Sequence, residues 1–496
     1  MDPTIDLRAA VPWAKQHHAR VALLEQLDRE IAAAPDAPEP RLERAALLVE
    51  LGLRPAAIGA YLDVLGRAPY HYDAMVPLGT LLAQHGDLDA ARGMFAEAAL
   101  RHPGRAAPLA KLGGILLELH DEPGARAAYE AALAIDPQCA PAHRGLAPIY
   151  HRSGEAEAAE RAWRAAFPDG AAAISPYRGP GEPVRVLLLM SALGGNIPLQ
   201  HVLDDRLFQW AELPVEAHRP GAALPPHALV FNVIGDADRC AAALDLAEGI
   251  LTQSTARLLN PPAKIRPTGR LENARHLGSL ADVVAPRIAR YDRATLAGGD
   301  AAARLAADGF GWPVLVRSPG YHTGQHFAMA HDAAELGAAV AALPGDALLA
   351  ISYLDTRAAD GTFRKYRVLA IDGRLYPLHL AVGRDWKVHY FSAAMDAEAA
   401  FRDEERAFLE DMPGTLGPRA VAALQRIADA LDLAYAGIDF ALDADGRVVL
   451  FEANATMVIL PQAPGEQWLY RRAAIESALQ AARAMLLRRA NPYREK

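Results

Sequence analysis

The chain has 496 residues and a formal net charge of −9, and 52% of its residues are hydrophobic while 22% are charged. This length exceeds one hydrophobic core and predicts roughly two to four domains. The composition excludes a disordered chain, the modest negative charge argues against general nucleic-acid binding, and no apolar run reaches the about 18 residues of a membrane-spanning helix.

Two cysteines, Cys139 and Cys240, lie far apart in the sequence. Their number and spacing indicate neither a disulfide framework nor a zinc site. The first residues carry acids and prolines where a secretory signal would have a basic and then an apolar segment. We therefore expect a cytoplasmic protein that binds neither membranes nor nucleic acids.

From about Arg41 to Phe167 the sequence repeats itself with a period of 34 residues. The repeated positions hold two small residues, an aromatic residue and a proline: Ala45, Gly79, Gly113 and Ala147; Ala57, Ala91, Ala125 and Ala159; Tyr61, Phe95, Tyr129 and Trp163; Pro69, Pro103 and Pro137. Small residues let two helices approach closely, the aromatic fills the gap to the next hairpin, and proline ends the second helix. This pattern resembles the tetratricopeptide repeat.

The resemblance predicts an all-α solenoid over residues 1–174, with a helical segment before Arg41 that caps it and an end at Pro168. Such an array presents a concave surface that commonly binds a peptide, a protein or a second copy of the chain. The alternative is a dimerisation or stability module without a ligand.

Residues Ser175 to Pro183 are rich in proline and glycine and predict a domain boundary. Two apolar runs of strand length follow, at 184–190 and 228–234, and each leads into a turn with glycine. Buried strands of this kind are typical of a doubly wound α/β sheet, in which ligands meet the carboxyl ends of the strands. We expect such a domain over residues 184–265, with candidate substrate contacts at Gly195, Asn196 and Asp236. The glycine pair could also be a plain tight turn.

A short apolar strand at 312–317 ends in Arg317 and leads into a loop, 318–326, that contains Gly320 and Gly324. Glycines let backbone N–H groups approach an anion closely, and a cation beside them favours phosphate. The loop is therefore a candidate phosphate-binding loop.

Two hairpins are predicted further on. In the first, Asp372-Gly373 joins strands at 364–371 and 374–382, which brings Lys365 and Arg367 onto one face. His379, on the second strand of this hairpin, is a candidate substrate-binding residue. Three further candidates lie beyond the hairpin: Arg384, Lys387 and His389. For each of them a solvated or structural role is the alternative.

The second hairpin runs from Ala436 to Met457 around Asp445-Gly446. A two-residue loop would set Asp439 opposite Glu452, with Asn454 on the same face, and cross-strand neighbours lie about 5 Å apart. Two carboxylates that close repel each other unless a cation lies between them, and oxygen ligands suit Mg²⁺. A three-residue loop would shift this register by one, and an ordinary exposed hairpin is the alternative.

The motifs WPVLVRSPGYHTG, AISYLDTRAADG, FRKYRV and GIDFAL…VVLFEANA resemble the ATP-grasp family over about residues 184–490, with the ATP-grasp domain itself at 266–496. The resemblance implies an α/β (α+β) fold that holds ATP and Mg²⁺. It implies the following roles: Arg270, Arg317, Gly320, Gly324 and Lys365 at the nucleotide phosphates, backbone groups near Tyr353 and Leu354 at adenine, Arg317, Arg367 and Arg384 in catalysis, and Asp439, Glu452 and Asn454 at the metal.

The chain departs from many relatives at three places. Arg317 stands where lysine is common, Ser352 stands where a carboxylate is common, and Ala455-Thr456-Met457 replaces residues that often contact substrate. The resemblance implies ATP-dependent joining of a carboxylate to an amine through an acyl phosphate. The alternatives are a kinase-like phosphotransferase and a non-catalytic nucleotide-binding scaffold.

Overall fold

The computed structural model describes residues 18–119, 121–167, 172–219, 221–320, 326–388, 395–460 and 465–491. The chain divides into two compact units, residues 1–170 and residues 171–496. In the described part of the chain, no helix is long and apolar enough to cross a membrane.

The first unit is a series of helical hairpins. Its helices are α1 (His18–Ala33), α2 (Pro38–Glu50), α3 (Arg54–Arg67), α4 (Tyr72–His85), α5 (Leu88–Arg101), α6 (Ala106–Glu118), α7 (Glu122–Ile135), α8 (Ala140–Arg152) and α9 (Ala156–Ala166). The first helices of successive hairpins begin at 38, 72, 106 and 140, and the second helices begin at 54, 88, 122 and 156. Both series have the period of 34 residues predicted from the sequence, so the helical repeats are confirmed.

The small and aromatic positions of the repeat pack against each other. A Cβ atom at Gly113 would lie 2.6 Å from the ring of Tyr129, and one at Gly145 would lie 2.1 Å from the same ring. Tyr129 therefore fills space in its own hairpin and against the first helix of the next. Before the repeats, Leu27 of α1 is buried in one cluster with Leu47 and Leu51, as expected for a helix that covers the first hairpin.

The second unit begins with a five-stranded sheet in the order β1-β3-β2-β4-β5. Its strands are β1 (Ala173–Ile174), β2 (Val184–Met190), β3 (Phe208–Pro214), β4 (Leu229–Asn232) and β5 (Arg257–Leu259), joined in part by α10 (Ala241–Leu251). β2 to β5 are parallel, and β1 pairs antiparallel with β3. β1 lies inside the predicted repeat domain, 1–174, but its hydrogen bonds belong to this sheet.

A four-stranded antiparallel sheet follows in the order β7-β10-β8-β9. Two helices precede this sheet, α11 (Pro262–Ile265) and α12 (Arg270–Leu277). The strands of the sheet and the helices between them are β7 (Ile288–Asp292), α13 (Arg293–Ala297), α14 (Ala301–Ala307), β8 (Val314–Arg317), β9 (Phe327–Ala330), α15 (Ala333–Ala342) and β10 (Ala347–Ser352). One face of this sheet covers a small core that includes Leu305, Val316 and Leu348. Its other face carries Leu315, Leu349 and Ile351.

A third sheet has the order β12-β11-β13-β14-β6. Its elements are β6 (Val283–Val284), β11 (Phe363–Ile371), β12 (Arg374–Gly383), α16 (Ala399–Glu410), α17 (Met412–Leu431, kinked at Gly417), β13 (Tyr435–Leu442), β14 (Val448–Asn454) and α18 (Arg472–Ala490). The largest core of the unit joins this sheet to the first one, and Asn260 contributes to the join by bonding both backbone groups of the buried Tyr435. The C-terminal unit thus combines mixed sheets with helices.

Candidate functional site

Four polar side chains form one row across the third sheet. His379 on β12 pairs with Arg367 on β11, Arg367 pairs with Asp439 on β13, and Asp439 pairs with Glu452 on β14. Directly paired residues of neighbouring strands point to the same face, so the four side chains lie side by side. We call these four residues the site row.

Two β-bulges produce this alignment. The register of β11 against β12 shifts beside Arg367, and that of β13 against β14 shifts beside Asp439. Bulges commonly re-aim side chains next to functional sites. Each hairpin therefore changes its register at the level of the site row.

The turn of the second hairpin differs from the two-residue loop of the sequence interpretation. Asp443 pairs with Arg447 through N–H···O of 3.1 Å, and Gly446 has a φ of 74°, so the loop holds three residues. The extra loop residue shifts the register by one, and the bulge at Phe451 shifts it back. The predicted opposition of Asp439 and Glu452 is present, although two irregularities produce it.

Asp439 is completely buried and lies between two cations. Its carboxylate accepts hydrogen bonds from Arg367 Nε at 2.6 Å and Nη2 at 2.8 Å, and Lys365 Nζ lies 2.7 Å away. Burial alone would raise the pKa of Asp439, but the charges of Arg367 and Lys365 outweigh it and hold this pKa well below its usual range. The carboxylate is therefore ionised at physiological pH.

Glu452 has a different set of partners. It accepts hydrogen bonds from Arg270 Nη2 and from Asn454 Nδ2, each at 2.9 Å. The amide oxygen of Asn454 accepts the backbone N–H and the hydroxyl of Thr456 at 2.9 and 2.8 Å. Asn454 thus orients Glu452, and Asn273 of α12 bonds the carbonyl of Ala453 beside it.

His379 is buried at the end of the site row. Burial lowers the pKa of His379 well below its usual range, and the neighbouring charge of Arg367 acts in the same direction. The imidazole is therefore neutral at physiological pH. A neutral ring offers a substrate carboxylate a hydrogen bond but no charge.

The site row lines a cavity of about 480 Å³, which we call the main cavity. Of the described residues, two with carboxylates line it, Asp439 and Glu452, and eight with cationic side chains do so: Arg239, Arg270, Arg317, Arg364, Lys365, Arg367, Lys387 and Arg471. Arg364 and Arg471 are paired with Glu404 and Glu405, and the remaining cations outnumber the two carboxylates. In a chain with a net charge of −9, such a lining would suit a polyanionic ligand.

The wall of the main cavity under the second sheet is apolar and aromatic. Phe327 and Tyr353 both contact Trp386 edge to face, with ring centroids 5.3 and 6.5 Å apart. The guanidinium of Arg317 lies 5.4 Å from the centre of the Phe327 ring. Burial lowers the pKa of Arg317 to about 10, and the neighbouring charge of Arg270 adds to the effect. An anion bound here would stabilise the charged form of Arg317 against both its burial and the repulsion from Arg270.

Most of the other predicted site residues border the main cavity or a smaller neighbouring pocket. Lys387 Nζ donates to the carbonyl of Phe327 at 3.2 Å. The main cavity is also lined by Gly195, Asn196, Tyr353 and Leu354, while Asp236, Gly320 and Asn454 line the neighbouring pocket. The side chain of Asn196 is engaged with the backbone of Ser191 through two bonds of 2.7 Å, so it shapes the turn after β2.

Arg384 lies away from the site row. It is not among the described residues that line either pocket, its side chain is 71% exposed, and it pairs with Glu398 at 3.0 Å. Gly324 and His389 lie outside the described residues.

Three arginines of the main cavity are absent from the sequence prediction: Arg364, which lies beside Lys365 in β11, and the two distant residues Arg239 and Arg471. Arg471 lies beyond the second hairpin, where it donates to the fully buried Glu405 at 2.6 and 3.0 Å and stacks 4.0 Å from the centre of the Trp468 ring. Arg239 follows β4 and is the residue directly after Asp238, whose carboxylate accepts the backbone N–H of Arg270. Neither belongs to a motif, and only the tertiary structure brings them to the cavity.

The site row offers two carboxylates that could hold Mg²⁺. Among the described residues, no three His, Cys, Asp or Glu side chains cluster as a metal site. Two adjacent carboxylates nevertheless suit Mg²⁺, which commonly takes one or two carboxylates together with substrate phosphates. Asp439 and Glu452 fit this pattern, whereas the amide oxygen of Asn454 is engaged by Thr456.

No family model and no curated protein matches this sequence. Solved structures similar to the N-terminal third are tetratricopeptide-repeat proteins with helical repeats. The crystal structure of MamA shares 19% identity at a TM-score of 0.28 and covers 31% of this chain and 90% of its own. YrrB, a TPR protein with an unusual peptide-binding site, shares 17% at 0.27 and covers 29% of this chain and 74% of its own.

A third structure, a tetratricopeptide repeat protein from Parabacteroides merdae ATCC 43184, shares 14% identity at a TM-score of 0.28. It covers 32% of this chain and 66% of its own length. At these TM-scores the similarity does not show what the repeats of this chain bind.

Proposed function

We propose that the C-terminal unit is an ATP-grasp carboxylate–amine ligase, which uses ATP and Mg²⁺ to form an amide or peptide bond through an acyl phosphate. The observation that carries the proposal is the site row, in which Arg367, Asp439 and Glu452 stand side by side on the wall of a cation-rich cavity. Carboxylates for a metal and cations for phosphates, within one site, are the groups that phosphoryl transfer needs.

The ion pairs of the site row favour an exchange of partners. Asp439 is neutralised by Arg367 and Lys365, and Glu452 is neutralised by Arg270. A buried ion pair is weak support for stability, because apolar residues of similar volume are often as stabilising. When a polyanion binds, its oxygens can take over the cations while a metal takes over the carboxylates. The pairs therefore neutralise the charges of the site until both ligands bind.

In the proposed reaction, a carboxylate oxygen of the acid attacks the γ-phosphorus of ATP, and the bond to the ADP oxygen breaks. The amine then attacks the acyl carbon, phosphate leaves, and the amine releases a proton to solvent. Arg317, Lys365 and Arg367 stabilise the negative charge on the transferred group. Mg²⁺, held by Asp439 and Glu452, would supply charge neutralisation at the phosphates. Backbone groups near Tyr353 and Leu354, beside the aromatic wall, would receive the adenine.

For the repeat unit we propose recruitment of a peptide or protein partner, or self-association. The support is the array of helical hairpins itself, because stacked repeats expose an extended surface that commonly binds other chains. In a ligase, such a surface would bring a peptide or a carrier-bound acid to the second unit.

The test is release of ADP and phosphate from ATP by the purified chain, with pools of acids and amines added separately and together. The proposal predicts that phosphate release requires both pools. ADP formation with a phosphorylated product and no free phosphate would indicate a kinase instead. Nucleotide binding without turnover under any combination would indicate a scaffold.

A further inference from the structure

Among the arginines that line the main cavity, several already have carboxylate partners. Arg270, Arg364, Arg367 and Arg471 are paired with Glu452, Glu404, Asp439 and Glu405, respectively. Arg239 differs from these four. Within the described residues its side chain makes one hydrogen bond, from Nη2 to the carbonyl of Leu193 at 3.0 Å, and no ion pair.

The position of Arg239 is fixed by its surroundings. Its backbone N–H donates to Asp236 Oδ1 at 3.1 Å, which holds the start of the turn after β4. Its aliphatic stem packs against Gly320, where a Cβ atom would lie 3.4 Å from Cγ. Its guanidinium lies over the turn after β2, where a Cβ atom at Gly194 would be 3.6 Å from Nη2. The charged end of the side chain is therefore directed to the Gly194-Gly195 turn.

Because its charged end is directed to the Gly194-Gly195 turn, Arg239 differs from the cations that bind phosphate in the proposed function. Those cations come from α12 and from the second and third sheets, and they surround Glu452 and Asp439. Arg239 comes from the turn between β4 and α10, beside Gly195 and Asn196, which also line the main cavity. Among the described residues, the carboxylates of the site row pair with other cations and not with Arg239.

We infer that Arg239 is a substrate-binding and specificity-determining residue that receives a carboxylate of the acid substrate, a role that rests on the proposed function. The guanidinium presents N–H groups in a fixed fork that matches the two oxygens of a carboxylate. The turn after β4 of the first sheet thus selects the acid, and the second and third sheets hold the nucleotide.

The test uses the full chain saturated with Mg²⁺ and AMPPNP, a non-hydrolysable ATP analogue. Thermal unfolding is followed while the standard amino acids and short mono- and dicarboxylic acids are added one at a time. The wild type is compared with Arg239→Gln, with Arg239→Lys and with the control Arg185→Gln. Arg185 lies in the same sheet but pairs with Glu182 outside the cavity.

We expect at least one acid to protect the wild-type complex and its carboxamide analogue not to do so. In Arg239→Gln the affinity for that acid should fall about 10- to 100-fold, the loss of a hydrogen bond to a charged group. Arg239→Lys should lose part of this affinity, Arg185→Gln none of it, and all variants should bind AMPPNP as the wild type does.

Three results would overturn the inference: no acid protects the wild type, the acid protects Arg239→Gln equally, or Arg239→Gln loses AMPPNP binding while it remains folded. If Arg239→Gln does not fold, Arg239→Lys decides by the same comparison. Failure of AMPPNP to protect the wild type is seen before any acid is added, and it contradicts the proposed function separately.

Discussion

At the residue scale, the buried Asp439 balances two partly buried cations, Arg367 and Lys365. Replacing it with asparagine leaves both without a counter-charge in a buried site, and we expect Asp439→Asn to lower the free energy of unfolding by about 3–5 kcal/mol. The measurement is urea unfolding near neutral pH. Asp445→Asn, in the exposed turn of the same hairpin, is the control and should change the free energy by less than about 0.5 kcal/mol. Equal effects of the two variants would show that the buried ion pairs do not matter.

His379 gives the site a pH dependence whose sign can be worked out. The pKa of this buried imidazole lies well below 6.5 in the folded chain, so below about pH 6.5 the unfolded chain binds more protons. The free energy of unfolding should therefore fall as the pH decreases, with a contribution of up to about 1.4 kcal/mol per pH unit.

The variant His379→Gln isolates that contribution. Urea unfolding of the wild type and the variant between pH 7 and pH 5 should give a smaller slope for the variant, because glutamine does not titrate. Parallel slopes would mean that His379 is protonated as easily in the folded chain as in the unfolded one.

At the scale of single elements, two glycines of the repeat unit have opposite surroundings. A Cβ atom at Gly113 of α6 would lie 2.6 Å from the Tyr129 ring. A Cβ atom at Gly93 of α5 would have no neighbouring atom within 4 Å among the described residues. Gly113→Ala should destabilise the unit by about 1–3 kcal/mol through overpacking. Gly93→Ala should stabilise it by about 0.5–1 kcal/mol, because alanine favours a helix. Denaturant unfolding followed by circular dichroism measures both, and effects of equal sign would refute the packing described for Tyr129.

The elements themselves were largely predictable from the sequence. The period of 34 residues predicts the helical hairpins, and Asp372-Gly373 predicts the first β-hairpin with Lys365 and Arg367 on one face. The bulges were not predicted, although Pro377 beside the bulge in β12 was a signal, because proline within a sheet is confined to edge strands, strand starts and bulges. In β14 the run Val448 to Leu450 is buried throughout, which hides the irregularity from an alternation pattern.

At the scale of the whole molecule, local sequence patterns do not show which residues meet in the cavity, and Arg270 was expected there only through the family resemblance. Arg239, Arg270 and Arg471 come from three separate segments, and no local pattern encodes their approach to the site row. Arg384 was also expected at the site, but its side chain pairs with Glu398 and is largely exposed to solvent. Short-range rules fix hairpins, whereas the assembly of a cavity depends on packing between distant elements.

Removal of the repeat unit tests its proposed role. Deletion of residues 1–170 leaves β1 in its sheet, whereas a deletion that extended through 174 would remove this strand. Turnover of ATP should be largely retained, and the KM of a recruited peptide or carrier-bound substrate should rise. If the deletion instead abolishes a dimer, as measured by light scattering, the array serves assembly and not recruitment.

The most direct test of the central claim is a calorimetric titration with AMPPNP, with and without Mg²⁺, of the wild type and of the double variant Asp439→Asn, Glu452→Gln. For the wild type we predict that Mg²⁺ tightens binding by about tenfold or more, which is about 1.4 kcal/mol. The double variant should bind AMPPNP without Mg²⁺ at least as tightly as the wild type, because its cations are no longer paired, and should gain nothing from Mg²⁺. An absence of AMPPNP binding to the wild type, or the same gain from Mg²⁺ in the double variant, would contradict the proposed nucleotide and metal site.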